Sequence, residues 1–217
     1  MQKRWLIQNQ HSQEEITEFA KALKVNTTMA QLMLQRGLDS EDKARSFFNP
    51  NLNQLHDPFL MKNMSVAVAR LEKAISEKEK VMLYGDYDVD GTTAVSLMFK
   101  FLKNRIDDLI YYIPDRYEEG YGVSIKGMEK AISEKVDLLI TLDCGIKNVE
   151  SINHAAKANI DVIVCDHHEP GETLPNAIIL NPKQNDCDYP FKELSGAGVG
   201  FKLLSGLCEK TNYPVKE

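Results

Sequence analysis

From residue 65 onward the chain alternates between two hydrophobic rhythms. Short apolar runs at 80–85 (KVMLYG), 108–113 (DLIYYI), 136–142 (VDLLITL), 161–165 (DVIVC) and 177–180 (AIIL) read as strands. Helical spacing fills 91–104, 124–135 and 147–158 between them. Ahead of the first strand, SVAVARLEKAISEKEK (65–80) sets Val68, Leu71 and Ile75 on one side of an amphipathic helix. Near-continuous apolar strands alternating with helices predict an α/β fold, a mainly parallel β-sheet flanked by helices on both faces.

The first sixty residues follow a different pattern. SQEEITEFAKAL has Ile16, Phe19, Ala20 and Leu23 at helical spacing, with Ser12 and Glu15 placed like a capping box. TTMAQLMLQRGL predicts a second helix closing at Gly37, and DSEDKARSFFNP a third, capped by Asp39 or Ser40 and stopped by Pro50. NLNQLHDPFLMKNM has no clear period. The expected organisation is a helical lead-in over 1–64 and an α/β domain over 65–217.

In open α/β sheets ligands gather beyond the carboxyl ends of the strands. Three of the five expected strands end in acidic clusters: Asp86-Tyr87-Asp88-Val89-Asp90, Asp143-Cys144-Gly145 and Asp166-His167-His168. In an extended segment Asp86, Asp88 and Asp90 would share a side. Their repulsion is tolerable if cations sit among them. The helix opening near Gly91 would add its positive N-terminal dipole. Adjacent histidines in an extended loop would point apart, one toward a metal and one toward a substrate.

Carboxylate and imidazole together suit manganese, iron, cobalt or zinc, with magnesium at an oxygen-rich position. Two such ions, about 3.5–4 Å apart and bridged by an aspartate, would make a hydroxide and clamp the oxygens of a phosphoester. Amide hydrolysis by a dinuclear site is the alternative chemistry. Two further stretches border the same sheet edge. In IPDRYEEGYG, Arg116 could grip a phosphate and Tyr117 or Tyr121 could stack on a base. In SGAGVG, Ser195, Gly196 and Gly198 open a helix whose amides could meet a phosphate, or could serve close packing.

Composition narrows the class without deciding it. The net charge of −6 over 217 residues argues against generic coating of nucleic acid, yet a metal site needs carboxylates that count against the total. Four cysteines with no C-x-x-C pair read as reduced packing thiols rather than a zinc site. No apolar run reaches the roughly 18 residues a membrane span needs. The opening MQKRWLIQNQHSQEE turns polar too soon for a secretory signal, so the expected compartment is the cytoplasm, with no membrane partner.

DYDVDG, the strand-ending aspartate of TLDCG, and DHHEP, in that order, resemble the DHH phosphoesterase superfamily. The lead-in LMLQRGLDSEDKARSFFNP, the loop YYIPDRYEEGYGVS and LSGAGVGFKL bring the resemblance closest to its branch of bacterial single-stranded-DNA-specific exonucleases, over nearly the whole chain from about residue 30. The resemblance implies a 5′→3′ exonuclease that hydrolyses phosphodiester bonds of single-stranded DNA in recombination and repair. It implies two divalent cations, Mn2+ or Mg2+, and repair helicases or a single-strand-binding protein as further partners.

Carried over residue by residue, it makes Asp88, Asp90 and His167 metal ligands and Asp143 a bridging one. Asp86 lends support in the same loop. His168 ligates or faces the scissile phosphate, and Asp166 orients an imidazole. Relatives that cleave pyrophosphate carry a histidine four residues before the first D-x-D aspartate, where this chain has Tyr84. That departure and the long lead-in favour the exonuclease branch over phosphoesterases of short oligonucleotides or cyclic dinucleotides. The intact Asp88, Asp90, Asp143, His167 and His168 argue against a non-catalytic module of the same fold. The fourth motif of the family, with its aspartate, and the cleft-closing domain would lie beyond Glu217. An N-terminal fragment, weak or inactive alone, is therefore expected.

Overall fold

The computed structural model describes residue 4, residues 11–211 and residue 213. Apart from Arg4, the first ten residues, on which the absence of a secretory signal was read, lie outside this range. The chain parts into two compact units, Met1–Leu55 and His56–Glu217. In the first, helices α1 (Gln13–Leu23), α2 (Thr27–Gln35) and α3 (Glu41–Phe48) begin at Ser12, Asn26 and Ser40, whose side chains accept the amides three residues on. Ile16, Ala20, Ala30 and Leu34 bury together between α1 and α2. The stretch with no clear period holds two short 3-10 turns, Leu52–Gln54 and Pro58–Leu60.

The second unit is built on strands β1 (Val81–Gly85), β2 (Leu109–Tyr112), β3 (Leu138–Leu142), β4 (Asp161–Cys165) and β5 (Ile178–Leu180). They form one sheet in the order β2-β1-β3-β4-β5, every neighbouring pair parallel. All five expected strands are present, because fully buried runs such as Val81–Gly85 and Leu138–Leu142 have apolar partners on both faces. Strand alternation divides the core. Val81 and Leu83 face α4 (Met64–Glu77), α5 (Val89–Leu102) and α8 (Gly196–Thr211), while Met82 and Tyr84 face α6 (Ile125–Ser133) and α7 (Val149–Lys157).

The chain leaves β1 toward β2 on one side and returns to β3 on the other. This order places the topological switch point between β1 and β3, where open sheets of this kind bind ligands. All four cysteines are unpaired and buried. Among the described residues, no helix is long and apolar enough to cross a membrane.

Candidate metal centre

One backbone device places three carboxylates along the carboxyl edge of the sheet, from the switch point to β4. The residue after each strand makes one more rung of the ladder. Asp86 N–H donates to Leu142 O of β3 (3.3 Å), Asp143 N–H to Cys165 O of β4 (2.9 Å), and Asp166 N–H to Leu180 O of β5 (3.0 Å). Asp86, Asp143 and Asp166 are consequently almost wholly buried. Asp143 takes a left-handed φ of 63°, a conformation an aspartate bears better than most residues.

Two of these three carboxylates lack the partners that burial demands. Both oxygens of Asp86 and Oδ1 of Asp143 are buried with no hydrogen-bond partner. His167 Nε2 lies 3.1 Å from Asp143 Oδ1, at ion-pair distance but without hydrogen-bond alignment. Burial, reinforced by the charges of Asp90 and Asp88, pushes the Asp143 carboxyl up to about 8. Burial likewise raises Asp86, against a smaller pull downward from the nearby Tyr87 and Gly122 amides, which fall short of hydrogen-bond geometry. A buried carboxylate left unpaired costs several times what a satisfied one does. The cluster therefore has the electrostatics of a site made for added positive charge.

Ligand atoms of Asp86, Asp88 and Asp143 lie within 4.8 Å of one another, and so do those of Asp143, His167 and His168. Asp143 belongs to both groups. Oxygen donors on one side and imidazoles on the other, sharing one carboxylate, fit a pair of hard-to-borderline divalent ions. Two glycines let backbone close on the cluster. A Cβ on Gly91 would sit 2.4 Å from the Asp86 carbonyl oxygen, and one on Gly196 would sit 2.3 Å from Asp143 Oδ1.

The D-x-D-x-D segment is not extended throughout. Asp88 is the N-cap of α5, its Oδ1 accepting from the amides of Asp90 (2.9 Å) and Gly91 (3.0 Å), so Asp90 falls in the first helical turn. Helix entry, which strand alternation ignores, turns the three side chains to different jobs. Both oxygens of Asp90 accept backbone amides at the start of α8, from Gly196 at 2.7 Å and Ala197 at 2.8 Å. Asp90 Oδ2 also lies 3.8 Å from His167 Nε2. Gly196 thus spends its amide on Asp90, and Gly198 donates its own to Ser195 Oγ (3.1 Å).

Asp166 is fully engaged. Its Oδ2 accepts from Ile146 N–H (2.9 Å), and its Oδ1 from the amides of His167 (2.7 Å) and His168 (3.1 Å) and from His168 Nδ1 (2.7 Å). Burial alone would raise this carboxyl, but those donors, His168 first, hold it below the usual range. The hydrogen bond to Asp166 raises His168 in turn. An ionised Asp166 fixes the imidazole proton on Nδ1, leaving the Nε2 lone pair to accept from Tyr121 Oη at 2.8 Å. The same tight turn folds the two rings together, with centroids 4.6 Å apart, instead of pointing them apart.

Arg116 is exposed, its guanidinium 5.4 Å from the centre of the Tyr87 ring, and Tyr87 meets Tyr121 edge-on at 6.3 Å. Tyr87 was overlooked in the sequence because the flanking aspartates dominated that stretch. An aromatic between two ligand-type residues was the available signal. Ile146 contributes only a backbone amide, which no side-chain pattern announces.

The sequence model of the DHH family, N-terminal domain, matches residues 80–217. The single-stranded-DNA-specific exonuclease RecJ of Bacillus subtilis is 42% identical over 205 residues, which cover 94% of this chain and 26% of that protein. RecJ of Thermus thermophilus is 36% identical over 154 residues, 71% of this chain and 23% of that one. The chain thus spans about a quarter of the length of these relatives. A crystal structure of exonuclease RecJ bound to manganese superposes with a TM-score of 0.66 at 36% identity, covering 72% of this chain and 40% of that one. RecJ of Thermus thermophilus in complex with Mn2+ gives 0.72 at 28% identity, over 95% and 28%.

Proposed function

Because this chain belongs to the DHH family, we propose that it is the metal-binding core of a 5′→3′ exonuclease that hydrolyses phosphodiester bonds of single-stranded DNA. The observation that carries this reading is Asp143, a buried and unsatisfied carboxylate shared by two ligand groups. The names of the relatives supply the substrate class.

Asp86, Asp88 and Asp143 would hold one divalent ion, and Asp143, His167 and His168 the other, with Mn2+ or Mg2+ as the metals. Such a pair supplies an activated water at neutral pH and stabilises charge growing on phosphate oxygens. The remaining work falls to the chain itself. Asp166 keeps the His168 proton on Nδ1, so that Nε2, which meets Tyr121 Oη in this structure, is the atom that would ligate once that hydrogen bond gives way. Asp90 fastens the start of α8 beside Asp143. Arg116 offers a guanidinium to a phosphate, and Tyr87 and Tyr121 offer ring faces to unstacked bases. Ser195, Gly196 and Gly198 shape the α8 entrance along which the strand would pass. We place the enzyme in the cytoplasm, in recombination and repair, alongside helicases or a single-strand-binding protein.

The test is digestion of a long 5′-labelled single strand by the protein expressed with whatever follows Glu217 in its reading frame. Metal-dependent release from the 5′ end is expected. Activity confined to dinucleotides would assign the site to small substrates instead.

A further inference from the structure

The loop between β2 and α6, residues 113–124, brings Tyr121 to His168 and Arg116 to Tyr87, and a network outside the metal cluster holds it in place. Glu119 is the inner tie. Its carboxylate accepts Tyr112 Oη–H at 2.9 Å on both oxygens, the Asp115 amide at 2.9 Å and Ser124 Oγ–H at 2.5 Å, so it joins both ends of the loop. Tyr84 is the outer tie. Its hydroxyl donates to Gly122 O (3.0 Å) and accepts from Ser124 N–H (3.1 Å), fastening the loop's C-terminal end to β1. The Tyr84 ring is fully buried and stacks on Tyr112, centroids 5.4 Å apart and planes 24° apart. Gly127 leaves room for that ring, since a Cβ there would lie 2.4 Å from it.

We infer that Tyr84 and Glu119 are positioning residues, a two-point latch that keeps Tyr121 against His168 and Arg116 over Tyr87. The latch rests on the proposed function only for the identity of the substrate the loop meets. Neither residue touches the metal groups, and because Tyr121 occupies the His168 Nε2 lone pair that an ion would need, freeing the loop should not weaken ion binding. Tyr84 serves through its hydroxyl, and Tyr84→Phe keeps the ring while stranding a buried amide and a carbonyl. Glu119→Gln replaces an acceptor by a donor facing Tyr112 and Ser124.

The experiment measures amide hydrogen exchange and Mn2+ affinity on this chain. It also measures single-strand kinetics on the protein expressed with its downstream reading frame. For Tyr84→Phe and Glu119→Gln, exchange over 114–124 should quicken about tenfold, as the loss of buried hydrogen bonds implies. Exchange in β1, β3 and β4 should stay as in the parent, and Mn2+ should bind no more weakly than to the parent. KM for single-stranded DNA should rise about tenfold with kcat within about twofold. Unchanged exchange in the loop, or acceleration spread equally over the sheet, would overturn the latch. If loop exchange quickens as described but the parent does not degrade single strands, the proposed function falls and the latch stands.

Discussion

Glu134 and Asp143 stand at opposite ends of the same sheet. Glu134 lies just before β3, where Lys130 and Lys80 hold its carboxyl down at about 2. Asp143 lies just after β3, where burial and its acidic neighbours push it up to about 8. The contrast extends to their surroundings. At the amino end, Arg70 bonds Glu79 at 2.6 Å and Asp161 at 2.5 Å, Lys80 Nζ reaches Glu134 at 2.9 Å, and the Lys80 amide donates to Asp137 at 2.8 Å. Acid and base are matched within the protein. At the carboxyl end, the ligand-type groups gathered with Asp86 and Asp143 are Asp88, His167 and His168, and both oxygens of Asp86 and Oδ1 of Asp143 stay without a hydrogen bond. One end spends its charges on holding the fold; the other leaves them for a ligand.

The largest effect on that division should come from its amino end. Arg70 is mostly buried against Glu79, while Asp161 is exposed and Glu79 keeps Lys73 at 3.6 Å, so Arg70→Met should cost about 1–3 kcal/mol, chiefly at Glu79. Urea denaturation would read the loss, and calorimetry should find Mn2+ affinity unchanged. At the carboxyl end the sign should reverse. Asp143→Asn removes an uncompensated charge and keeps a residue that tolerates left-handed φ. Above pH 8 the metal-free variant should gain about 1–2 kcal/mol over the parent.

A pH dependence follows from the same residue. Its folded carboxyl is raised to about 8 against an unfolded value of about 3.9, so the folded state holds its proton longer. The contribution of Asp143 to metal-free stability should therefore be fully present below about pH 4 and be lost as pH rises to about 8. Thermal melts should show Mn2+ stabilising more at pH 8 than at pH 5. A smaller effect is expected at Asp166, which acts through His168. Asp166→Asn should lower single-strand turnover about tenfold and weaken Mn2+ binding less than loss of Asp143 does.

The fold was legible because its strands are buried on both faces and its helices on one, which writes each element into hydropathy. The clustering of Asp86, Asp143 and Asp166 was legible too, since strand ends in a parallel sheet share an edge. What the sequence hid is how each carboxylate is spent. Asp88, Asp90 and Asp86 alternate as equals in DYDVD, yet a helix N-cap, the amides of α8 and an unpartnered burial distinguish them. Only the role of Asp90 arises from α8 meeting α5, an encounter between segments about a hundred residues apart. The Asp88 cap is local, and the burial of Asp86 follows from the rung it adds beside β3. The ties of Tyr84, to residues 38 and 40 positions on, were hidden in the same way, whereas those of Glu119 lie within seven residues of it.

Titration of this chain with Mn2+ by calorimetry, beside Asp143→Asn, tests the central claim most directly. A shared carboxylate predicts that the chain binds Mn2+ and that the single substitution weakens every binding event about a hundredfold or more. Mn2+ binding that survives Asp143→Asn unchanged, or no binding by the parent, would contradict it.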